Sequence, residues 1–195
     1  MPSRPRGTLG SRAVRFPRRT IIRRIAPRAL TLAFATVFVF LAAAAGIPET
    51  LKPEEALNYR KAGAALATAG KPSVETLAKL KELGFRTAID LRQPAEGVEA
   101  ARKAVEEQGL TFVSVPISPG TFRADDARKV AAVLDDAKAA PVLLYCSSSN
   151  RVGAVIAVVE GFKGTPHDEA LAEGRKAGLK SPPMIDAVER VLAGK

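Results

Sequence analysis

The 195 residues weigh 20.6 kDa and 47% of them are hydrophobic, enough for one globular domain with a core and too few for two full ones. A single cysteine, Cys146, excludes an internal disulfide and a multi-cysteine metal site, and a single histidine, His167, leaves no Cys/His metal cluster and no spare imidazole for a Ser-His-Asp triad. The net charge of +10 is local: nine of the 30 basic residues are arginines within 1–28, where no acid occurs, leaving 21 against 20 acidic residues in the remainder. The body is therefore nearly neutral, and the charge does not point to nucleic acid as a partner.

Residues 29–45, directly after Arg28, carry no charge and end in Ala43-Ala44-Ala45, with Gly46 following. A basic region, an apolar stretch and a small-residue exit predict an export signal or an inner-membrane anchor, with a periplasmic or extracellular location for the rest. The stretch is short for a span, which usually takes about 20 apolar residues. Arg18-Arg19-Thr20-Ile21-Ile22 resembles a twin-arginine export motif. The expected organisation is 1–46 as basic N-terminus and signal or anchor, and 47–195 as the functional domain. Any membrane association is expected through the N-terminal segment alone.

Residues 47–72 read as a mixed, proline-punctuated entry segment. Ser73 predicts an N-cap for a helix carrying Val74, Leu77, Leu80 and Leu83, closed by Gly84. A strand is expected over Phe85–Leu91, a helix over about Val98–Glu107, and a β-branched strand over Leu110–Ile117. Asp125 or Asp126 opens a helix with Ala127, Val130, Ala131, Leu134 and Ala137 on one face. Pro141–Tyr145 is continuously apolar, as a strand buried on both faces is, and an apolar run from Val152 to Val159 follows, closed by Gly161. Thr165-Pro166 and Ser181-Pro182 each predict a helix start with proline in the first turn. Strands separated by helices give an α/β fold with a mostly parallel central sheet flanked by helices.

The chemistry-bearing segment lies between the buried strand and the buried helix. A polar loop running into a helix start turns backbone N–H groups inward under the positive end of the helix dipole, which suits an anion. Cys146 ends the strand, where that field favours a thiolate nucleophile. Ser147, Ser148, Ser149 and Asn150 form a small polar loop, and Arg151 closes it with a planar fork able to hold two oxygens of a tetrahedral anion. An arginine at the positive end of a dipole is unfavourable without an anion, so ligand binding is the better account of it. His167 reads as a surface residue, and Asp90 as a structural hydrogen-bond or ion-pair partner.

Residues 141–153, Pro-Val-Leu-Leu-Tyr-Cys-Ser-Ser-Ser-Asn-Arg-Val-Gly, resemble the phosphate loop of cysteine-dependent phosphatases. They are most like a bacterial tyrosine/dual-specificity-phosphatase-like group related to the beta-lactamase-hydrolase-like phosphatase domain, where the loop is Cys-x4-Arg and tyrosine often precedes the cysteine. The resemblance extends over most of 57–193. It takes in Asn58-Tyr59-Arg60, residues 69–73, the strand and turn from Thr87 to Glu96, Val115-Pro116-Ile117, and Glu173 to Leu179 as the C-terminal helix.

The resemblance implies a cysteine-phosphatase (phosphotyrosine phosphatase II-like) architecture and no cofactor or metal. The implied substrate is a phosphorylated protein or a small phosphomonoester. Cys146 would attack phosphorus to give a phosphocysteine, while Arg151 and the amides of 147–151 hold the equatorial oxygens. Three departures stand out. Ser149 occupies a position usually glycine, which strains the loop if φ is positive there. Val152 lacks the hydroxyl that often follows the arginine, for which the loop serines are possible substitutes. Ser118-Pro119-Gly120 holds no carboxylate where a general acid is usual. Asp125, Asp126 and Glu96 are the candidates for that acid, against helix capping for the aspartates and a solvated turn for Glu96. Two alternatives stay open: a rhodanese-like sulfurtransferase carrying a Cys146 persulfide, and a non-catalytic phosphate-binding module.

Overall fold

The computed structural model describes residues 46–194; the basic N-terminus and the apolar run expected as a signal lie outside them. Five strands form one sheet: β1 (Arg60–Lys61), β2 (Leu66–Ala69), β3 (Thr87–Asp90), β4 (Thr111–Ser114) and β5 (Val142–Tyr145). Their order is β1-β2-β5-β3-β4, parallel throughout except for β1, which runs antiparallel to β2. The helices are α1 (Val74–Leu77), α2 (Val98–Glu106), α3 (Ala124–Asp135), α4 (Asn150–Phe162), α5 (His167–Lys176) and α6 (Pro182–Ala193), with a short 3-10 turn at Pro94–Glu96. This is the α/β architecture the sequence predicts. Among the described residues, no helix is long and apolar enough to cross a membrane.

The continuous apolar run of β5 has the expected cause. Val142, Leu144 and Cys146 join the cluster with α3, α4, α5 and α6, whereas Leu143 and Tyr145 join the one with α1 and α2. A period of two thus divides the strand between two cores, one on each sheet face. It also aims Cys146 at the α4 side. Helix α4 is apolar nearly all round because it is the middle of its layer, packed by α3, α5 and α6.

Several element bounds differ from the sequence expectation. The helix expected through Leu83 stops at Leu77, although Ser73 caps it by accepting from Thr76 N at 3.1 Å. The Gln108 side chain is the reason. Its amide nitrogen donates to the Leu77 carbonyl at 2.7 Å and its oxygen accepts from Lys81 N at 3.0 Å. Those two groups would bond each other in a continuing helix, and an inserted side chain breaks the ladder. Tighter turns follow, which keep both Leu77 and Leu80 buried.

The N-cap of α3 is Arg123 rather than an aspartate. Asp126 sits at the third helical position and accepts from Arg123 N at 3.0 Å, the return half of a capping box. Helix α5 caps one residue later than expected, at Pro166, and ends at Lys176, so the segment resembling a C-terminal helix runs out into a turn. The last helix, α6, starts at Ser181-Pro182 as predicted.

Candidate active site

Cys146 follows β5 at the centre of the sheet, and residues 147–149 lead into α4. The loop is held from both sides. Ser149 is the N-cap of α4 with φ 65°, the left-handed value at which its usual glycine would be unstrained. Serine normally caps with its hydroxyl; here it makes no capping bond, so no side chain covers the first N–H groups of α4, and these are free to meet an anion. The Ser149 hydroxyl is buried without a partner.

The sequence Gly-Arg-Lys-Ala-Gly-Leu (174–179) explains how α4 is seated. A Cβ on Gly153 would lie 2.2 Å from Leu179 N and 2.4 Å from the Gly174 carbonyl, and one on Gly178 would lie 2.6 Å from Ser149 Cβ. Backbone therefore rests on backbone where α5 ends beside the head of α4. Asn150, expected to bind substrate, spends its side chain on this junction. Its Oδ1 accepts from Lys180 N (2.8 Å) and Ser181 N (3.0 Å), and its Nδ2 donates to Ser181 Oγ at 2.6 Å. On the other flank, Asn58 Nδ2 donates to the Ser148 carbonyl at 3.4 Å.

Arg151 is held by the turn after β3. Its Nη1 donates to Glu96 Oε2 at 2.7 Å and its Nη2 to Glu96 Oε1 at 2.8 Å, a two-pronged pair. Ser147 Oγ donates to Glu96 Oε1 and accepts from Arg151 Nη2 at 3.0 Å. Carbonyls of Leu91 and Ile117 receive Nη1 at 3.3 and 3.4 Å. The hydrogen bond from Arg151 pulls the Glu96 carboxyl down to about 2, with Ser147 and the Gln93 amide adding to the effect against its burial. Glu96 in turn raises the pKa of Arg151, opposed by burial and aided by the nearby Cys146.

The pair with Arg151 favours the ionised form of Glu96, which argues against a role as proton donor, while its side chain stays 32% exposed. Behind it lies a second, fully buried pair. Asp90, in β3, receives Arg92 through Nη2 at 2.7 Å and Nε at 3.0 Å, and Arg92 Nη1 donates to the Glu96 carbonyl at 3.1 Å. Asp90 thus fixes the turn that carries Glu96, the structural role expected of it. The Arg92 guanidinium also lies 5.3 Å from the Tyr145 ring centroid.

A cavity of about 240 Å³ opens over the loop, lined by Gln93, Ile117, Ser118, Pro119, Ser148, Asn150, Arg151, Ser181, Pro183 and Met184. Cys146 itself is fully buried, with no exposed surface. Asp125 sits in the first turn of α3 with its side chain 79% exposed, paired with Arg128 at 2.8 Å. Val152, after the arginine, is fully buried. His167 is on the surface, bonded to Glu189 at 2.6 Å. Among the described residues, no three His, Cys, Asp or Glu side chains are grouped to hold a metal.

The beta-lactamase hydrolase-like protein, phosphatase-like domain family matches residues 58–161, more than half of the chain, from within the entry segment to the last turn of α4. The chain belongs to this family. That match covers the two strands β1 and β2, the Asp90–Glu96 turn and the cysteine loop in one stretch. A search of curated proteins returns no relative.

Solved structures with a similar fold include the following three. P. aeruginosa TpbA, in a cysteine-to-serine variant complexed with phosphotyrosine, has 17% identity and a TM-score of 0.57, covering 78% of this chain and 91% of its own. Tk-PTP in its active form has 16% identity and a TM-score of 0.59, covering 73% and 99%. The core catalytic domain of the S. cerevisiae PP-IP phosphatase SIW14, in complex with citrate, has 16% identity and a TM-score of 0.56, covering 73% and 88%.

Proposed function

We propose that this member of the phosphatase-like family is a cysteine-dependent phosphatase of the tyrosine/dual-specificity type, hydrolysing a phosphomonoester through a phosphocysteine. The observation that carries this reading is the Arg151–Glu96 pair, which presents a fixed cation across the loop from the thiol. In the first step Cys146 Sγ attacks phosphorus and the ester oxygen leaves with its electron pair. Arg151 and the amides of 147–151 hold the three equatorial oxygens, where charge spreads in the transition state. Water then attacks the phosphocysteine, releasing phosphate and the thiolate. The phosphotyrosine bound by the TpbA variant on a similar fold supports a phosphorylated protein or small phosphomonoester as substrate.

Asp125 is the proposed proton donor to the leaving oxygen. It is an exposed carboxylate at the head of α3, in the chain segment that follows the cavity-lining Ile117–Pro119. We also propose that 1–46 is an export signal or anchor placing the domain outside the cytoplasm, on the basis of its charge and apolar patterning.

The test is p-nitrophenyl phosphate turnover by the full chain beside Cys146→Ser. Turnover that disappears in the variant while vanadate binding persists supports the assignment; turnover surviving Cys146→Ser refutes it. One observation, the fully buried thiol, favours a second reading as a non-catalytic phosphate-binding module. That reading predicts stabilisation by phosphate with no turnover in the unmodified protein.

A further inference from the structure

A second cavity, of about 250 Å³, lies on the opposite flank of the loop, towards β1 and β2. Asn58, Arg60, Ser148, Ser149, Lys176 and Lys180 line it, and no carboxylate does. Ser148 also lines the cavity that contains Arg151, so the two spaces are neighbours across one loop residue. Three cationic side chains from three separate segments converge here: β1, the end of α5, and the turn before α6. Lys176 is bridged by Glu173 on its own helix, but among the described residues neither Arg60 nor Lys180 has an acidic partner.

Like charges gathered round a concavity repel, and the arrangement is favourable only when an anion occupies it. A second, independent feature points the same way. Ser149, a residue 2% exposed that lines this cavity, carries a buried hydroxyl without a hydrogen-bond partner. A buried hydroxyl left unpaired is unfavourable, and a ligand oxygen would satisfy it. The cavity falls below the 300 Å³ or so of a whole small-molecule site, which suits one group of a larger substrate.

We propose that this cavity is a second anion subsite, and that the substrates of the enzyme carry a second phosphate group beside the one that is cleaved. The proposal rests on the phosphatase reading: the Arg151 side of the loop holds the scissile group, while Arg60, Lys180 and the Ser149 hydroxyl hold the other. The shared chemistry is a bisphosphate. It is supplied either by a doubly phosphorylated small molecule or by a peptide bearing two phosphorylated residues.

The experiment measures kcat/KM for the full chain and for Arg60→Gln, Lys180→Gln and the double variant. The substrates are p-nitrophenyl phosphate, a hexitol bisphosphate with its monophosphate, and a doubly phosphorylated peptide with its singly phosphorylated form. The expected result is at least a tenfold preference for one bisphosphate over its own monophosphate, and which pair shows it identifies the source. The double variant should lose that preference while p-nitrophenyl phosphate turnover stays within about twofold. Lys180 lies outside any helix or strand, so Lys180→Gln alone serves if the double variant folds poorly.

Turnover of p-nitrophenyl phosphate with no preference for either bisphosphate overturns the subsite and leaves the phosphatase reading standing. So does equal loss on all substrates. Calorimetry of the bisphosphates on Cys146→Ser, with and without the two substitutions, covers the converse case. If no substrate is turned over but binding weakens tenfold with Arg60→Gln and Lys180→Gln, the phosphatase reading fails and the subsite holds.

Discussion

Glu96 and Ser149 govern the loop in opposite ways, one by holding a charge in place and the other by accepting strain. Glu96 has a folded pKa of about 2, below its ordinary 4.5, because Arg151 favours the ionised form. Its contribution to stability is therefore complete above about pH 4.5 and disappears as the pH falls towards 2. Glu96→Gln removes that dependence, so thermal melts between pH 7 and pH 2 should separate least at the acid end. The same variant frees the guanidinium to swing, and a displacement of about 1 Å costs on the order of 10²-fold in rate. Turnover of p-nitrophenyl phosphate should fall by about that factor at pH 7, with Glu96→Asp recovering only part of it.

Ser149→Gly relieves a left-handed serine and deletes an unpartnered buried hydroxyl, so it should raise the free energy of denaturation by about 1–2 kcal/mol. A chemical denaturation midpoint that does not move would mean that the loop carries no such strain.

At the scale of elements, the contact between α4 and the end of α5 decides where the loop sits. Gly153→Ala places a methyl group 2.2 Å from Leu179 N, and neither backbone can yield without moving the segment that Asn150 holds. We expect a loss of more than about 3 kcal/mol by denaturation. Gly120→Ala, where a Cβ meets nothing within 4 Å and φ needs no glycine, should change stability by less than about 0.5 kcal/mol.

The elements also show what a sequence can carry. Strand β5 and helix α4 were legible because burial on every side demands an unbroken apolar run, and Cys146 to Arg151 were legible because they join the two. Strand β2, Leu-Ala-Thr-Ala, has one β-branched residue and takes its conformation from pairing with β5. The end of α1 depended on Gln108, 31 residues from the carbonyl it captures. Glu96 reads in the sequence as a carboxylate in the right turn, but its 2.7–2.8 Å pair with Arg151, 55 residues away, depends on the tertiary fold. The aspartates of α3 were legible in part: Asp126 does cap, from inside the helix rather than at its boundary.

For the whole molecule, the proposed site of loop amides and one guanidinium is assembled only in the folded state, so an anion that fills it should stabilise the fold. Vanadate at about 100 times its Kd should stabilise the protein by about 2.7 kcal/mol. For a domain of this size that is a rise of about 5–10 °C in Tm. Cys146→Ser should respond nearly as well, since the oxygens are held by other groups, and Arg151→Lys should respond much less because a point charge cannot grip two oxygens. The export proposal is checked by mass spectrometry on protein recovered from the producing cell: an N-terminus at or near Gly46 indicates cleavage, and a full-length chain in the membrane fraction indicates an anchor.

The solitary thiol under its loop has a redox consequence. Phosphatases that depend on a thiolate are exposed to oxidants, and a sulfenic acid is recovered most readily by condensing with a second cysteine close by. These 195 residues contain no second cysteine, so an oxidised Cys146 has no partner within the sequence. Burial keeps bulky oxidants away from the sulfur, but it equally delays the external thiol that recovery requires. Once hydrogen peroxide has entered, oxidation should run on to the irreversible sulfinic acid more readily than in an enzyme with a resolving cysteine, leaving exclusion by the loop as the protein's own defence.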